Sequence, residues 1–339
     1  MSASGENPAQ GRFRARAWTV IKAAISLTLL ALLIRSIEWQ EISNALRDFA
    51  WPLVMLSFVL FVGNHLFTAA RIRALLSAQG VAISYGFALK ITFSGLFANN
   101  FLPSTIGGDV VKYAMLARRG IQKSVSATSI VVDRAINVAA IFLLTPLTVP
   151  LVDALIPQWR GRYWIALAAF GLLALASLFI FYRFHARLST WLAGLQIGAS
   201  WISRVRDGLV RLLTILSTWL RQFSSLTLAG LFSFASIACS VSALWVLVLG
   251  AGSSVTFIQT AAVAVVVYFA TLVPVSFNGL GVQEVSFTLL FSELSTPESA
   301  ALTIAILYRL ILLLSSLPGG LFNILPDKFL SFQPPVDPK

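Results

Sequence analysis

A chain of 339 residues that is 58% hydrophobic and 11% charged, with a mean hydropathy of +0.84, falls outside the soluble class, where roughly 25% of residues are charged. One cysteine, Cys239, excludes an intramolecular disulfide, and two histidines far apart in sequence, His65 and His185, leave zinc chemistry almost without ligands. The formal charge of +12 does not point to nucleic acid, because the basic residues flank apolar runs, where they orient a membrane protein and meet anionic headgroups.

Residues 1–15 are expected to be a disordered cytoplasmic terminus. Arg12, Arg14 and Arg16 precede an apolar run from Ala17 to Ile34. That run is long for a signal peptide and lacks a small-residue cleavage pattern, so it is expected to be a first transmembrane helix. Trp51 to Ala70 crosses back and ends at Arg71 and Arg73, a cytoplasmic signature. Gly86 to Leu102 could span, yet the polar segment after it carries Lys112, Arg118, Arg119 and Lys123 and should be cytoplasmic as well. A re-entrant hairpin turning at Asn99 to Gly108 resolves the conflict. Arg118 and Arg119 could also gather anionic lipid at the cytoplasmic entrance.

Val125 to Val149 then crosses outward with Asp133, Arg134 and Asn137, and Tyr163 to Tyr182 returns to Arg183 and Arg187. Within 186–222, Ile202, Val205, Leu209, Leu212 and Leu216 recur every three or four residues among arginines. This is an interfacial amphipathic helix, read as a connector, with a partner-docking surface as the alternative. Leu226 to Leu249 crosses outward, Thr256 to Val275 approaches a second interruption, and Ala300 to Leu325 is the last span before a tail at 326–339.

Two stretches break the apolar pattern. Ala98-Asn99-Asn100-Phe101-Leu102-Pro103-Ser104-Thr105-Ile106-Gly107-Gly108-Asp109 is the first, and Pro274-Val275-Ser276-Phe277-Asn278-Gly279-Leu280-Gly281-Val282-Gln283-Glu284 is the second. Proline and glycine free backbone groups that must be satisfied at membrane depth, which is tolerated in protein or along a wet cavity. Asp109 and Glu284 lie 175 residues apart, as do Arg134 and Arg309. Gly80-Val81-Ala82-Ile83-Ser84-Tyr85 likewise resembles Gly252-Ser253-Ser254-Val255-Thr256-Phe257. The expected fold is therefore all-α and polytopic: six spans, two re-entrant hairpins and an inverted repeat, a transporter architecture. One transmembrane domain at 16–325 holds repeat halves at 51–183 and 226–325.

Ionisable groups in a span cost roughly 2.5–3.5 kcal/mol each, so Asp109, Asp133, Arg134, Glu284 and Arg309 should face inward and find partners. Two outcomes are open: mutual pairing that holds the fold, or an arginine free to bind an anionic headgroup, most plausibly a phosphate. Helix N-termini after Gly108 and Gly281 would add backbone donors. Asn99, Asn100, Ser104, Thr105 and Asn278 would add neutral hydrogen bonds, with Gly107 and Gly279 in the same breaks. His65, beside Asn64 and near the cytoplasmic end of its span, is read as a satisfied histidine rather than a proton relay. No Gly-x-Ser-x-Gly, His-Glu-x-x-His or Walker pattern occurs, so no catalytic residue, cofactor or metal is expected.

The order Asn100-Phe101-Leu102-Pro103-Ser104, Gly107-Gly108-Asp109, Asp133-Arg134 and Asn278-Gly279-Leu280-Gly281-Val282-Gln283-Glu284 resembles the lysylphosphatidylglycerol synthase transmembrane family, the flippase-like domain found alone or fused to aminoacyl-lipid synthases. Asp133 stands where the family often shows glutamate, and Gln283 where a basic residue is common. The resemblance implies lipid translocation in the cytoplasmic membrane of a bacterium or archaeon; the charge pattern and span count are expected to leave both termini cytoplasmic, and no fused synthase domain is expected in this chain. The substrate would be an anionic phospholipid or polyprenyl-phosphate-linked lipid, with an envelope-lipid synthase as a possible partner. The alternative is a glycosyltransferase-like enzyme or a scaffold subunit in such a pathway.

Overall fold

A chain crossing lipid must satisfy its backbone polar groups internally, which leaves helices as the solution for single segments. The computed structural model describes residues 49–101, 107–148, 222–272 and 276–324, with Arg47, Trp219 and isolated positions between 162 and 191. Every regular element among them is helical. The first span, most of the Tyr163 to Tyr182 span, nearly all of the amphipathic segment, the tail and Ser104 lie outside the described residues.

The first half comprises α1 (Trp51–Ala78), α2 (Tyr85–Phe101), α3 (Gly107–Arg118) and α4 (Lys123–Leu144), with a 3-10 turn at Thr145–Thr148. The second comprises α5 (Phe223–Gly250), α6 (Phe257–Leu272), α7 (Val282–Glu293) and α8 (Glu298–Ser316), then α9 (Pro318–Ile324). Four stretches are long and apolar enough to cross a membrane: Trp51–Ala78, Lys123–Thr148, Phe223–Gly250 and Glu298–Phe322. By contrast α2 and α6, with 17 and 16 residues, reach only about 25 Å. The 12-residue α3 and α7 reach about 18 Å, against a hydrocarbon core of about 30 Å. Each short pair folds on itself, α2 on α3 and α6 on α7, as a helix–break–helix hairpin.

The two halves repeat in their turn chemistry. After α1 the chain reverses at Gly80 (φ 74°), and after α5 at Gly252 (φ 70°). The next N–H returns to the helix in both cases, Val81 to the Leu76 carbonyl and Ser253 to the Val248 carbonyl. Ser84 and Thr256 then cap α2 and α6, accepting the N–H of Phe87 at 3.2 Å and of Gln259 at 3.3 Å. The turns before α4 and α8 match as well, through Gly120 (φ 77°) and Ser295 (φ 64°).

Inversion follows from how the equivalent helices α1 and α5 meet. The Ala50 N–H donates to the Gly250 carbonyl at 3.2 Å, and Ser57 Oγ to the Ala243 carbonyl at 2.8 Å. Further along, Asn64 Nδ2 donates to the Ser236 carbonyl at 2.9 Å. Residue numbers rise along one helix as they fall along the other, so the pair is antiparallel. Asn64 and Ser236, 172 residues apart, occupy the same position in their halves and touch each other. A pseudo-two-fold axis therefore passes through this contact, perpendicular to the helix pair, the relation expected of inverted repeats. Four further cross-half contacts form two mated pairs: α4 with α5 and α8 with α1, and the 3-10 turn with α6 and α9 with α2.

The apolar core fills the centre of the second half. Phe61 of α1, Leu244 and Leu247 of α5, Val263 of α6, Phe287 and Phe291 of α7 and Ile304 of α8 form one cluster. His65 belongs to this interior and sits in the middle of α1 rather than near its end. Its Nε2 is 3.0 Å from Ser315 Oγ, and its ring meets Phe61 and Phe93 edge-on.

Candidate functional site

The first break is held by Asn99, whose Oδ1 accepts the Gly108 N–H at 2.7 Å. Gly108 also lies so close to α2 that a Cβ would stand 2.2 Å from the Gly95 carbonyl oxygen, so no larger residue closes this hairpin. Gly95 in turn leaves the space across which the Lys112 side chain runs. Asp109 falls in the first turn of α3, where the helix dipole favours a carboxylate.

The second break is an unwound turn in which Asn278 (φ 44°), Gly279 (φ 72°) and Gly281 (φ 82°) are all left-handed. Such backbone is open to glycine and tolerated by asparagine. Glu284 closes it: Oε2 accepts the Gly281 N–H at 2.7 Å, one arm of a capping box. The two breaks meet directly, Asn278 Nδ2 donating to Asn100 Oδ1 at 2.6 Å.

Each acid takes the arginine of its own half. Asp109 accepts Arg134 Nε, and Glu284 Oε1 accepts Arg309 Nε. The surroundings differ. The side chains of Arg309 and Glu284 are 9% and 4% exposed, whereas that of Arg134 is 51% exposed and Asp109 15%. Arg309 also donates Nη1 to the Asn278 carbonyl at 3.3 Å, so it pins the unwound turn. Its Nη2 has no partner among the described residues.

Asp133 does not pair with its neighbour Arg134. It accepts Arg71 Nε at 2.6 Å and lies 3.9 Å from Lys112 Nζ. Arg71 Nη1 further donates to Asn137 Oδ1 at 3.0 Å and to Ser233 Oγ at 2.9 Å, so one guanidinium ties α1, α4 and α5. The sequence places Arg71 just past the end of a span, as a cytoplasmic marker. Instead α1 runs on to Ala78 with Arg71 buried, because these partners remove the reason for it to leave the helix. Lys112, likewise read as a topology determinant, belongs to the same network. The available signal was the apolar set Ile72, Leu75 and Leu76 beyond Arg71, all buried, which marks a helix still inside the protein.

Around the first break, then, Arg71, Lys112 and Arg134 face Asp109 and Asp133. Among the described residues, three cations against two carboxylates leave one positive charge uncompensated, with a half-exposed guanidinium that still carries donors. The arrangement suits one anion, bound bidentately by arginine. The second break is electrically balanced by Glu284 and Arg309. Among the described residues no group of three or more histidine, cysteine or acidic side chains could hold a metal ion.

A sequence model of the lysylphosphatidylglycerol synthase TM region matches residues 19–319. The chain belongs to that family and is a multi-pass integral membrane protein. It is similar to a UPF0104 membrane protein of Archaeoglobus fulgidus, 23% identical over 332 residues, covering 93% of this chain and 99% of that protein.

Proposed function

We propose that the protein moves an anionic lipid between the leaflets of a bacterial or archaeal cytoplasmic membrane. The headgroup would pass between the two hairpins while the tails stay in the bilayer. The uncompensated positive charge beside a half-exposed Arg134 supports this reading more than any other observation. A membrane interior penalises unpaired charge, so a site that keeps one favours a ligand that supplies the opposite sign. In this reading Arg134 is the headgroup ligand, Asp109 holds it when no lipid is bound, and Arg309 with Glu284 braces the second break. Both hairpins are taken as re-entrant and both termini as cytoplasmic. No catalytic step is assigned. Transport runs downhill, with an ion gradient, or by consumption of the lipid on the far side, where an envelope-lipid synthase is the natural partner class.

The test is leaflet exchange of fluorescent phospholipids and polyprenyl-phosphate lipids in liposomes holding the purified full chain. Exchange of an anionic lipid by the native protein, lost in Arg134→Ala, is the expected result. No exchange of any lipid by folded protein would overturn it in favour of an enzyme acting on a lipid-linked donor or a scaffold subunit.

A further inference from the structure

Near the pseudo-two-fold axis lies a cavity of about 240 Å³ walled by both halves. At about 30 Å³ per water it has room for about eight waters, or for a single sugar ring. Among the described residues its lining is uncharged. The polar side chains are amides and hydroxyls, Asn64, Asn137, Ser236, Ser240, Thr271 and Gln283, set among the rings of Tyr268, Phe287 and Tyr308.

Most of these polar groups are partly engaged. Asn137 Nδ2 donates to the Tyr268 hydroxyl at 3.1 Å, which leaves the phenol proton to donate onward. Ser240 and Tyr308 share a hydrogen bond at 3.0 Å. Gln283 differs: it is 8% exposed, and its Nε2 has no partner among the described residues. A buried donor left unpaired is costly, so its partner is to be sought in what fills the cavity, water or a ligand that displaces it.

No carboxylate lines the cavity among the described residues, and the acids adjoining its lining in sequence are committed, Glu284 to Arg309 and Asp133 to Arg71. A cationic headgroup would find no counter-ion there. A phosphate would find no cation there either, but Arg134 stands three residues before Asn137 on α4, a spacing that puts Cβ atoms about 5–6 Å apart. The two residues therefore share one face of α4, which places the guanidinium's anchor beside the cavity wall.

We propose that the cavity receives an uncharged sugar or polyol headgroup, joined through a phosphodiester to the lipid tails, while its phosphate pairs with Arg134. Sugar rings offer C–H faces to aromatic rings and hydroxyls to amides and phenols, which matches this mixed lining. The inference names the substrate class for the transport reading above and rests on it.

The test measures binding to the full chain in detergent, apart from transport. Three probes share one decyl chain and one phosphodiester: decyl methyl phosphate, decyl glucosyl phosphate and decyl aminoethyl phosphate. The native protein is expected to bind the glucosyl probe about tenfold more tightly than the methyl probe, as one or two buried hydrogen bonds allow, and the aminoethyl probe no better than the methyl. Gln283→Leu should erase most of the glucosyl-to-methyl ratio, and Tyr268→Phe, which keeps the aromatic wall, part of it. Equal affinities for all three probes, tightest binding of the aminoethyl probe, or an unchanged ratio in both folded variants overturns the inference. Glucosyl preference without leaflet exchange would keep the headgroup class and overturn the transport reading alone.

Discussion

The two halves of the molecule share a backbone plan and differ in chemistry. In each, an acid at the start of the hairpin's second helix clamps an arginine 25 residues later on the following span. At equivalent positions around those clamps the first half has Arg71, Lys112 and Asp133, where the second has Ala243, Phe287 and Tyr308. One half is cationic and open at Arg134, and the other is apolar and closed over Arg309. The clamp is thus an architectural device for fixing a hairpin to its span, and function is written in what surrounds it. Repetition supplies a symmetric frame, and asymmetry in three side chains gives it a more cationic side, the one to which the proposal assigns the anion.

The largest test of that contrast is stability. Arg309→Ala leaves Glu284 buried without its partner and frees the Asn278 carbonyl, so a loss of about 3–5 kcal/mol is expected. Arg134→Ala, at a half-exposed pair, should cost no more than about 1 kcal/mol. Equilibrium unfolding in detergent compares them, and equal losses would break the comparison. For exchange the order reverses among variants that fold. Arg134→Ala should slow exchange of an anionic lipid at least about tenfold, and Arg134→Lys should recover part of it, since lysine keeps the charge without the bidentate fork.

The junction between halves comes next. A double-mutant cycle on Asn100→Ala and Asn278→Ala should show a coupling of about 1 kcal/mol, the net value of one hydrogen bond. Additive effects would mean that the breaks do not depend on each other. Smallest is Ser295→Gly, which places in the second half the residue that Gly120 already supplies at the matching left-handed turn. A gain of about 1 kcal/mol is expected from relieving a side chain at positive φ. A loss would show that Ser295 has a role its repeat mate lacks.

Much of this was legible from residues alone, for identifiable reasons. Apolar runs long enough to cross are a one-dimensional property, and so are the glycine- and asparagine-rich interruptions. The equal spacing of Asp109 with Arg134 and of Glu284 with Arg309 carried the repeat, because the pairing is within each half and at fixed separation. Arg71 and Lys112 read as cytoplasmic markers because a basic residue near the end of a span has two destinies, headgroup or buried carboxylate. Local sequence does not choose between them. Which of two matching arginines would be accessible was equally hidden: Arg134 and Arg309 follow acids at the same distance, and only their neighbours in space separate them.

The sequence by itself determined that this is a helical membrane protein with two broken hairpins and an acid and an arginine repeated at equal spacing, since periodicity, hydropathy and spacing are properties of the chain. Tertiary structure alone decided that α1 and α5 run antiparallel through Asn64 and Ser236, that Asp133 belongs to Arg71, and that Arg134 is the open arginine. Those outcomes depend on helices brought together from opposite halves, where burial and partner geometry, not local pattern, set which charge stays free.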